Sequence, residues 1–457
     1  MKVRRKLFFA LQRMIGSHAG DRYADLKGME RWPTALMQEW QSKQIRSLID
    51  HAVEHVPFYR ERFGGRKDVP PGELPVVTKE ELSSHFLDLM TPELRREYVS
   101  GVKPKGYGWL EVTSGGTTGV PTTVIHDPEF RDKDRAARVY EMGLSGIPYG
   151  KPHFKLWGSM NDIQETRASW RQRVMTTLSR EVLLNAFEMS DQRIVEYISM
   201  INQHRIQHAI AYVDAAAAMA AFIRKHGLFV RPLKSIMTTG GTLTEDTREL
   251  LQEVFRARIH NKYGSRDCGE LACECEAGGL HVLAPNVFIE ILDKNDKPLP
   301  PGELGRVVVT FLGNRAFPIL RFDIGDMAAM SSGACPCGRG FPVLERLEGR
   351  AVDFLLSGSG GFVSPVYIRH VVGVVHGPKL IRRFQFVQED LNIFSLTIQP
   401  ESGVKEYALQ LIREPLLKDL RKVLGPQSEI AYIVTNHIPE TAAGKFRYTI
   451  NRYTPPQ

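Results

Sequence analysis

The sequence predicts an α/β protein with two domains, a large one at residues 1–349 and a small α+β domain at residues 350–457. The chain of 457 residues is longer than one compact core usually accommodates. Strand–loop–helix alternation before residue 260 predicts mainly parallel sheets covered by helices. A new group of strands and helices follows Gly349-Arg350 and is long enough to fold as a separate small domain.

The N-terminal hundred residues are predicted to be mostly helical, with helical apolar spacing clearest from Trp40 to Val53. Trp109–Val112 is predicted to be a short strand that enters a loop rich in glycine and threonine. Leu233–Thr238 is a short apolar run that leads into Gly240-Gly241, which is typical of a buried strand followed by a loop. Segments 181–225 and 243–257 again have the apolar spacing of helices.

Strand patterns dominate two later stretches. Val287–Leu292 and Gly305–Thr310 flank a polar turn and predict an antiparallel hairpin or a small β-barrel-like part. Phe384–Val387 and Phe394–Ile398 flank a second polar turn, and a helix and a strand at Ile430–Val434 complete the small C-terminal domain.

Composition narrows the function classes. Apolar residues make up 42% of the chain and charged residues 25%, as in ordinary globular proteins. No apolar run approaches the roughly 18 residues that span a bilayer, and we expect a cytoplasmic protein. The net charge of +8 suits an enzyme of anionic substrates. Basic residues are spread along the chain without a recognition motif, so we expect no nucleic-acid partner.

The N-terminus has a short apolar stretch between basic residues and is too polar for a secretory signal. The favoured interpretation is an amphipathic helix packed on the body. The alternative is a weak membrane-surface contact through Arg4, Arg5, Lys6, Leu7, Phe8 and Phe9.

A glycine- and hydroxyl-rich loop follows the strand predicted at Trp109–Val112. Glycines let the backbone approach an anion, and N–H and hydroxyl groups can donate to phosphate oxygens. The loop is not a P-loop, because no Gly-Lys-Ser/Thr follows it. Taken alone, such a segment is more often an ordinary loop. The candidate phosphate-binding residues are Ser114, Gly115, Gly116, Thr117, Thr118 and Gly119.

Four further segments each have an ordinary interpretation as a turn, a linker or a solvated lysine. Tyr263-Gly264-Ser265-Arg266-Asp267 offers a ring that could stack on a purine and a carboxylate that could bind Mg²⁺. Asp326 could accept both hydroxyls of a ribose. Arg350 lies at the predicted domain boundary, and Lys445, in a glycine-containing loop, could neutralise charge on a phosphate.

The ordered set of these motifs resembles the adenylate-forming superfamily of acyl-CoA synthetases, adenylation domains and luciferases. The details resemble the phenylacetate–CoA ligase family and its capsule-locus relatives most. This branch typically has an early Val-Pro-Phe-Tyr, here Val56–Tyr59, and Leu-Pro-Val-Val-Thr-Lys, here Leu74–Lys79. It also has a Cys…Gly-Leu-His segment, here Cys275 to His281, and a Cys-x-Cys-Gly-Arg segment, here Cys335–Arg339.

The resemblance implies an activity and a set of roles. The expected reaction activates a carboxylic acid with ATP and Mg²⁺ and passes the acyl group to coenzyme A. An amine or a sugar is the alternative acceptor, and a non-catalytic nucleotide-binding scaffold is the alternative of another class. Ser114–Gly119 would hold the ATP phosphates with Thr117 in a catalytic role, and Gly240-Gly241-Thr242 would line the adenine side. The remaining implied roles are adenine stacking for Tyr263 beside Gly264 and Ser265, magnesium binding for Asp267, ribose binding for Asp326, the hinge for Arg350 and catalysis for Lys445.

Three positions depart from the pattern of the branch. Val120 stands where relatives often have lysine, Asp267 is shorter than the usual glutamate, and Val352 stands where many relatives have aspartate. We expect an aromatic or medium apolar acid. Its candidate pocket residues, chosen by resemblance of location only, are Trp157, Met160, Tyr212 and Thr238, and a homodimer is compatible with the branch.

The five cysteines form two tight groups, which favours metal ligation over a disulfide framework. Cys275, His281, Cys335 and Cys337 supply the three sulfurs and one imidazole of a closed tetrahedral zinc site. Cys273 could replace Cys275, and inert buried cysteines are the alternative. Such a structural zinc site would join the segment after Asp267 to the segment after Asp326.

Overall fold

The three-dimensional structure is a computed structural model. It describes residues 2–66, 70–104, 106–114, 122–158, 170–187, 189–293, 295–348, 355–358, 362–363, 365–377, 380–438 and 448–453.

Helices form much of the chain. They are α1 (Lys2–Met14), α2 (Ala19–Met29), α3 (Thr34–His55), α4 (Pro57–Arg62), α5 (Lys79–Ser84), α6 (Pro92–Val99), α7 (Pro128–Leu144), α8 (Trp170–Ser179), α9 (Asp191–Gln203), α10 (Val213–His226), α11 (Glu245–Phe255), α12 (Pro365–Arg369) and α13 (Glu406–Leu424). A π-helical turn, His370–His376, continues α12.

Strands alternate with these helices. They are β1 (Leu110–Ser114), β2 (Thr122–His126), β3 (His153–Trp157), β4 (Glu181–Asn185), β5 (His208–Tyr212), β6 (Ser235–Thr239), β7 (Arg258–Ser265), β8 (Gly269–Glu274), β9 (Leu280–Val282), β10 (Val287–Leu292), β11 (Gly305–Phe311), β12 (Phe322–Met330), β13 (Val343–Glu348), β14 (Leu355–Leu356), β15 (Phe362–Val363), β16 (Ile381–Asp390), β17 (Ile393–Pro400), β18 (Glu429–Val434) and β19 (Thr449–Asn451).

Local sequence signals explain where several helices begin. Thr78 accepts a hydrogen bond from the Glu81 backbone, and the Glu81 side chain accepts one from the Thr78 backbone, so a capping box starts α5. Asp127 caps α7 by accepting from the Phe130 backbone, and Pro128 occupies the first helical position.

The chain divides into two compact units, and the first consists of residues 1–112, 122–150 and 260–349. Its sheet runs in the order β10-β11-β12-β13-β9-β8-β7, with antiparallel neighbours. The core between this sheet and helices such as α3 includes Tyr59, Phe130, Phe317 and Phe322. The predicted hairpin is confirmed, because Val287 pairs with Phe311.

The second unit consists of residues 113–121, 151–259 and 350–457. It contains a parallel sheet of order β6-β5-β3-β4, and this arrangement confirms the predicted α/β class. Its C-terminal stretch forms a sheet of order β18-β17-β16-β19, which α13 packs against. The segment 181–225 also contains β4 and β5, which the helical prediction for that segment did not resolve. The domain boundary at residue 350 stays a prediction.

Candidate functional site

Tyr263 and Asp326, predicted on separate motifs, meet in the first unit. The phenolic hydroxyl of Tyr263, on β7, donates a hydrogen bond of 3.0 Å to Oδ2 of Asp326, on β12. Tyr263 is buried, whereas Asp326 is only half-buried. A residue proposed for adenine and one proposed for ribose therefore lie within contact distance of each other.

A bulge in β12 positions Asp326. The register with β11 pairs Arg306 with Met327 and Val308 with Asp323, so three residues of β12 lie opposite one residue of β11. Gly325 sits in this bulge with φ 78°, a conformation that favours glycine. Its N–H donates to Oδ1 of Asp323 at 2.8 Å. Bulges of this kind redirect side chains beside functional sites, and this one redirects Asp326.

The turn after Tyr263 is tightly constrained. A Cβ added to Gly264 would lie 2.9 Å from a carboxylate oxygen of Glu270, so the position has little room for a side chain. Ser265 accepts a hydrogen bond of 2.9 Å from the Cys268 backbone. The backbone carbonyl of the buried Asp267 lies 3.3 Å from Nε2 of His126. Burial lowers the pKa of His126 to about 3, so this imidazole is neutral.

Charged residues support β7 on the face opposite Tyr263. Lys262 Nζ lies 2.7 Å from a Glu270 carboxylate oxygen and 3.5 Å from one of Glu141. Burial, with Glu270 nearby, raises the pKa of the Glu141 carboxyl well above its ordinary value. Neighbouring strand residues point to opposite faces, so this buried group anchors the strand without entering the Tyr263 face.

Arg321 belongs to the predicted ribose motif, but its contacts are structural. The guanidinium is buried and donates to Glu290 Oε2 at 3.0 Å and to the backbone carbonyl of Gly72 at 3.1 Å. The residue has φ 44°, which is uncommon for a non-glycine residue. Arg321 therefore holds the start of β12 in place.

The glycine loop of the second unit follows β6 directly. Gly240 has φ 76°, and a Cβ there would lie 2.6 Å from Cδ1 of Tyr212. A Cβ at Gly241 would lie 3.1 Å from Oδ1 of Asp214. Thr242 is exposed in the same loop. These glycines allow the loop after β6 to approach the residues that follow β5.

Two predicted pocket residues stack on each other. The rings of Trp157 and Tyr212 are 4.2 Å apart at an interplanar angle of 26°, at the ends of β3 and β5. Thr238 is fully buried on β6. The carboxyl ends of parallel strands meet at one edge of a sheet, where ligands of open α/β sheets bind. Of the four candidate pocket residues, these three lie on neighbouring strands.

Asp214 was missed by the sequence prediction. It lies in the first turn of α10, two residues after Tyr212. Burial raises the pKa of its carboxyl to about 6, although the charge of Arg369 acts to lower it. The signal that could have identified it is an acidic residue directly after a buried strand, at the sheet edge where ligands bind.

Several predicted residues lie outside the described residues. They are Gly115, Gly116, Thr117, Thr118, Gly119, Val120, Met160, Arg350, Val352 and Lys445. The backbone of Ser114 ends β1, whereas its side chain lies outside the part of the chain that the structure describes. Their roles stay predictions.

The predicted zinc ligands come together in the first unit. One ligand atom from each of Cys275, His281, Cys335 and Cys337 lies within 4.8 Å of all the others. The sulfurs of Cys275 and Cys335 are 3.6 Å apart, and Nε2 of His281 is 3.1 Å from the sulfur of Cys337. A tetrahedral zinc ion with Zn–S bonds of about 2.3 Å places its sulfurs about 3.8 Å apart, so the separation of the Cys275 and Cys335 sulfurs fits.

Neighbouring groups orient these ligands. Nδ1 of His281 lies 3.0 Å from the Phe341 carbonyl, and donation to that carbonyl leaves the Nε2 lone pair for a metal. A Cβ on Gly279 would lie 2.7 Å from the sulfur of Cys335, so glycine leaves room for the cluster. Arg339 donates two hydrogen bonds to the Glu276 carboxylate and links the same two segments.

Cys273 lies apart from this cluster. Its sulfur is 3.4 Å from the Ser145 hydroxyl and 3.9 Å from the Glu141 carbonyl. Of the two cysteines that the sequence left open, the geometry therefore favours Cys275 as the ligand.

Comparisons with known proteins identify similar sequences along the chain. Residues 355–452 match the family described as the CapK C-terminal domain. The chain is 23% identical to a phenylacetate–coenzyme A ligase of Thermus thermophilus, over 93% of this chain and 98% of the relative. It is 20% identical to Protein CapK of Staphylococcus aureus, over 90% of this chain and 89% of the relative.

A solved structure shares the fold. It is a 2-hydroxyisobutyryl-CoA ligase in complex with 2-HIB-AMP and CoA, with a TM-score of 0.59, 19% sequence identity, and coverage of 93% of this chain and 91% of that chain. The shared fold and the relatives that match along almost the whole chain indicate a likeness to adenylate-forming proteins. Within that superfamily, the chain is similar to the phenylacetate–CoA ligase-like branch, which includes CapK.

Proposed function

We propose that this protein is an ATP-dependent, AMP-forming acid ligase that converts a carboxylic acid to an acyl-adenylate and then to an acyl-CoA thioester. The observation that carries the proposal is the hydrogen bond between Tyr263 and Asp326, which joins two motifs that we propose for nucleotide binding. Relatives named phenylacetate–coenzyme A ligase, which match along almost the whole chain, support the same reaction.

In the first half-reaction, a carboxylate oxygen of the acid attacks the α-phosphorus of ATP. The bond from that phosphorus to the bridging oxygen breaks, and pyrophosphate leaves with the electron pair. Lys445 would neutralise charge that develops on the α-phosphate. Asp326 would accept hydrogen bonds from the ribose hydroxyls, and Tyr263 would contact the adenine.

In the second half-reaction, the coenzyme A sulfur attacks the acyl carbonyl carbon. The acyl–phosphate bond breaks, AMP leaves with the electron pair, and the thiol proton passes to solvent. Asp267 would hold Mg²⁺, which when bound supplies positive charge near the phosphates. Arg350 would lie at the hinge of a conformational change that occurs between the two half-reactions.

We also propose that the cluster of three cysteines and His281 binds a structural Zn²⁺. Four N and S ligands with no open position are typical of structural zinc sites, not of catalytic ones. The spacing of the ligand atoms and the orientation of His281 support this assignment. The ion would join the β8–β9 hairpin to the segment around Cys335 and Cys337.

The acid is proposed to be an aryl or medium apolar carboxylic acid. The stacked rings of Trp157 and Tyr212 support an apolar wall at the carboxyl ends of the parallel strands. An amine or a sugar hydroxyl is the second candidate acceptor. This second candidate comes from the resemblance to the capsule-locus relatives, and residues 355–452 match the CapK C-terminal domain.

The first experiment is acid-dependent exchange of labelled pyrophosphate into ATP, across a panel of aromatic and aliphatic carboxylic acids. We expect exchange with at least one acid of the panel, and product analysis with and without coenzyme A then identifies the acceptor. Silence with every acid, in protein shown to bind ATP, would favour the non-catalytic scaffold instead.

Lys445→Ala should lower the exchange rate by about 100-fold or more, because electrostatic stabilisation of the transition state is lost. Lys418→Ala is the matched control, since Lys418 is an exposed lysine on α13. Equal rates in the two variants would remove Lys445 from the mechanism.

A further inference from the structure

Helix α1 packs on the first unit through one face. The ring of Phe8 is buried and lies 4.9 Å from that of Tyr149. The ring of Phe9 lies 5.3 Å from that of Tyr23, and Arg5 donates to the Tyr23 hydroxyl at 2.6 Å. Three of the six residues predicted for membrane contact, namely Arg5, Phe8 and Phe9, are therefore engaged with the body of the protein.

The opposite face of α1 exposes a second apolar stripe. Val3 is 75% exposed, Leu7 46% and Met14 81%, and Ala10 is also exposed. Their spacing of i, i+4, i+7 and i+11 places all four side chains within an arc of about 60° of the helix. This stripe runs along the whole helix, which distinguishes it from the isolated apolar residues that any surface carries.

Positive charge flanks this stripe. The helix sequence Lys2–Met14 contains five basic residues and no acidic residue. Arg4 and Lys6 are exposed on either side of the stripe. Arg13 is also exposed, although it pairs with Asp21 of α2. An apolar stripe between cations is the pattern of helices that lie in the interface of an anionic membrane.

We propose that α1 docks on the surface of an anionic phospholipid bilayer, with Val3, Leu7, Ala10 and Met14 inserted among the lipids. Arg4 and Lys6 contact the lipid phosphates. Among the described residues, no helix has the length and apolar character needed to cross a bilayer. A helix that lies in the plane of the membrane interface does not have to be that long or that apolar. The contact places the enzyme beside a membrane without adding a step to its chemistry, and it does not depend on the proposed activity.

The experiment is co-sedimentation of the full chain with vesicles of phosphatidylcholine, with or without about 30 mol% phosphatidylglycerol. We expect binding at least about 10-fold stronger to the anionic vesicles, and weaker at high salt. Leu7→Glu and Met14→Glu should each reduce this binding by about 10-fold or more, because they place a negative charge in the stripe. The double variant Arg4→Gln/Lys6→Gln should lose most of the preference for anionic lipid.

Leu36→Glu is the matched control. Leu36 is 44% exposed on α3 of the same unit and is not on α1. It should bind vesicles like the wild type, and thermal unfolding should show all variants folded. Absence of binding to anionic vesicles, or equal binding by Leu7→Glu and Leu36→Glu, would overturn the proposal. Self-association of the wild type without lipid that Leu7→Glu abolishes would assign the stripe to a second copy of the chain instead.

Discussion

At the residue scale, the surroundings of each carboxylate decide its role. Glu290 is buried and bound to Arg321, so it serves the fold. Asp326 accepts a hydrogen bond from Tyr263 and remains half-buried, so it can still bind a ligand. Asp214 lies at the carboxyl edge of the parallel sheet, where burial raises its pKa to about 6. Substitution of Asp326 is therefore expected to affect ligand binding, and substitution of Asp214 to affect the pH dependence of stability.

Asp326→Asn keeps the size of the side chain and removes its charge. We expect the KM for ATP to rise by about 10-fold or more, because hydrogen bonds to charged groups contribute about 1.5–3 kcal/mol. The measurement is pyrophosphate exchange at varied ATP concentration. Tyr263→Phe removes only the hydrogen bond between the two side chains and should have a smaller effect. An unchanged KM in folded Asp326→Asn protein would contradict the ribose role.

Asp214→Asn should change the pH dependence of stability. Burial raises the pKa of this carboxyl in the folded state above its unfolded value of 3.8, so the folded state retains the proton more strongly. The Asp214 carboxyl therefore makes the free energy of unfolding of the wild type fall as the pH rises from about 4 to about 6. The lower stability persists at higher pH.

The unfolding temperature of Asp214→Asn minus that of the wild type should therefore be larger at pH 8 than at pH 4.5. Thermal unfolding of both proteins across this range gives the comparison. A difference that does not depend on pH would show that this carboxyl titrates normally.

At the element scale, turns and bulges position the site residues. The bulge of β12 redirects Asp326, and the turn after β8 presents Cys275 to the cluster. Cys275 donates its backbone N–H to the Gly279 carbonyl at 2.9 Å, and Gly278 has φ 85°. The cluster therefore depends on a glycine turn as well as on its ligands.

Protein purified without chelators should contain about one zinc ion per chain. Cys275→Ser and Cys337→Ser should lose it, whereas Cys273→Ala should retain it, because Cys273 lies outside the cluster. Elemental analysis by mass spectrometry measures the metal, and a strong chelator should lower the unfolding temperature. Zinc-supplemented protein that contains no metal would refute the site.

At the scale of the whole molecule, distant stretches of sequence share one core. In the second unit, the ring of Phe187 packs edge-on against that of Tyr367 at 4.8 Å and lies 6.0 Å from His370. Phe187 precedes α9, whereas Tyr367 belongs to α12. The stability of this unit therefore depends on contacts between residues 151–259 and 350–457.

Phe187→Ala should lower the free energy of unfolding by about 3–5 kcal/mol, the usual cost of removing a buried phenylalanine. Urea denaturation measures the change, and limited proteolysis should cut the C-terminal stretch faster in the variant. Phe229→Ala is the control, because Phe229 is 70% exposed and its loss should cost under about 0.5 kcal/mol. Equal stability of the two variants would contradict this account of the core.

Local pattern predicted the α/β class, the hairpin strands at Val287–Leu292 and Gly305–Thr310, and a cysteine–histidine cluster in which either Cys273 or Cys275 could be a ligand. These features depend on periodicity and on residue chemistry, which a single sequence contains. The order of the motifs also indicated the superfamily.

Only the tertiary structure distinguished Cys275 from Cys273. Cys273 lies on β8, and Cys275 follows it two positions later, just after the strand ends, so strand alternation does not separate them. The turn after the strand brings only Cys275 to the cluster. The structure also identified Asp214 and chose which apolar face of α1 packs on the body. Such choices depend on contacts between residues far apart in the chain, and those contacts leave no periodic signal in the sequence.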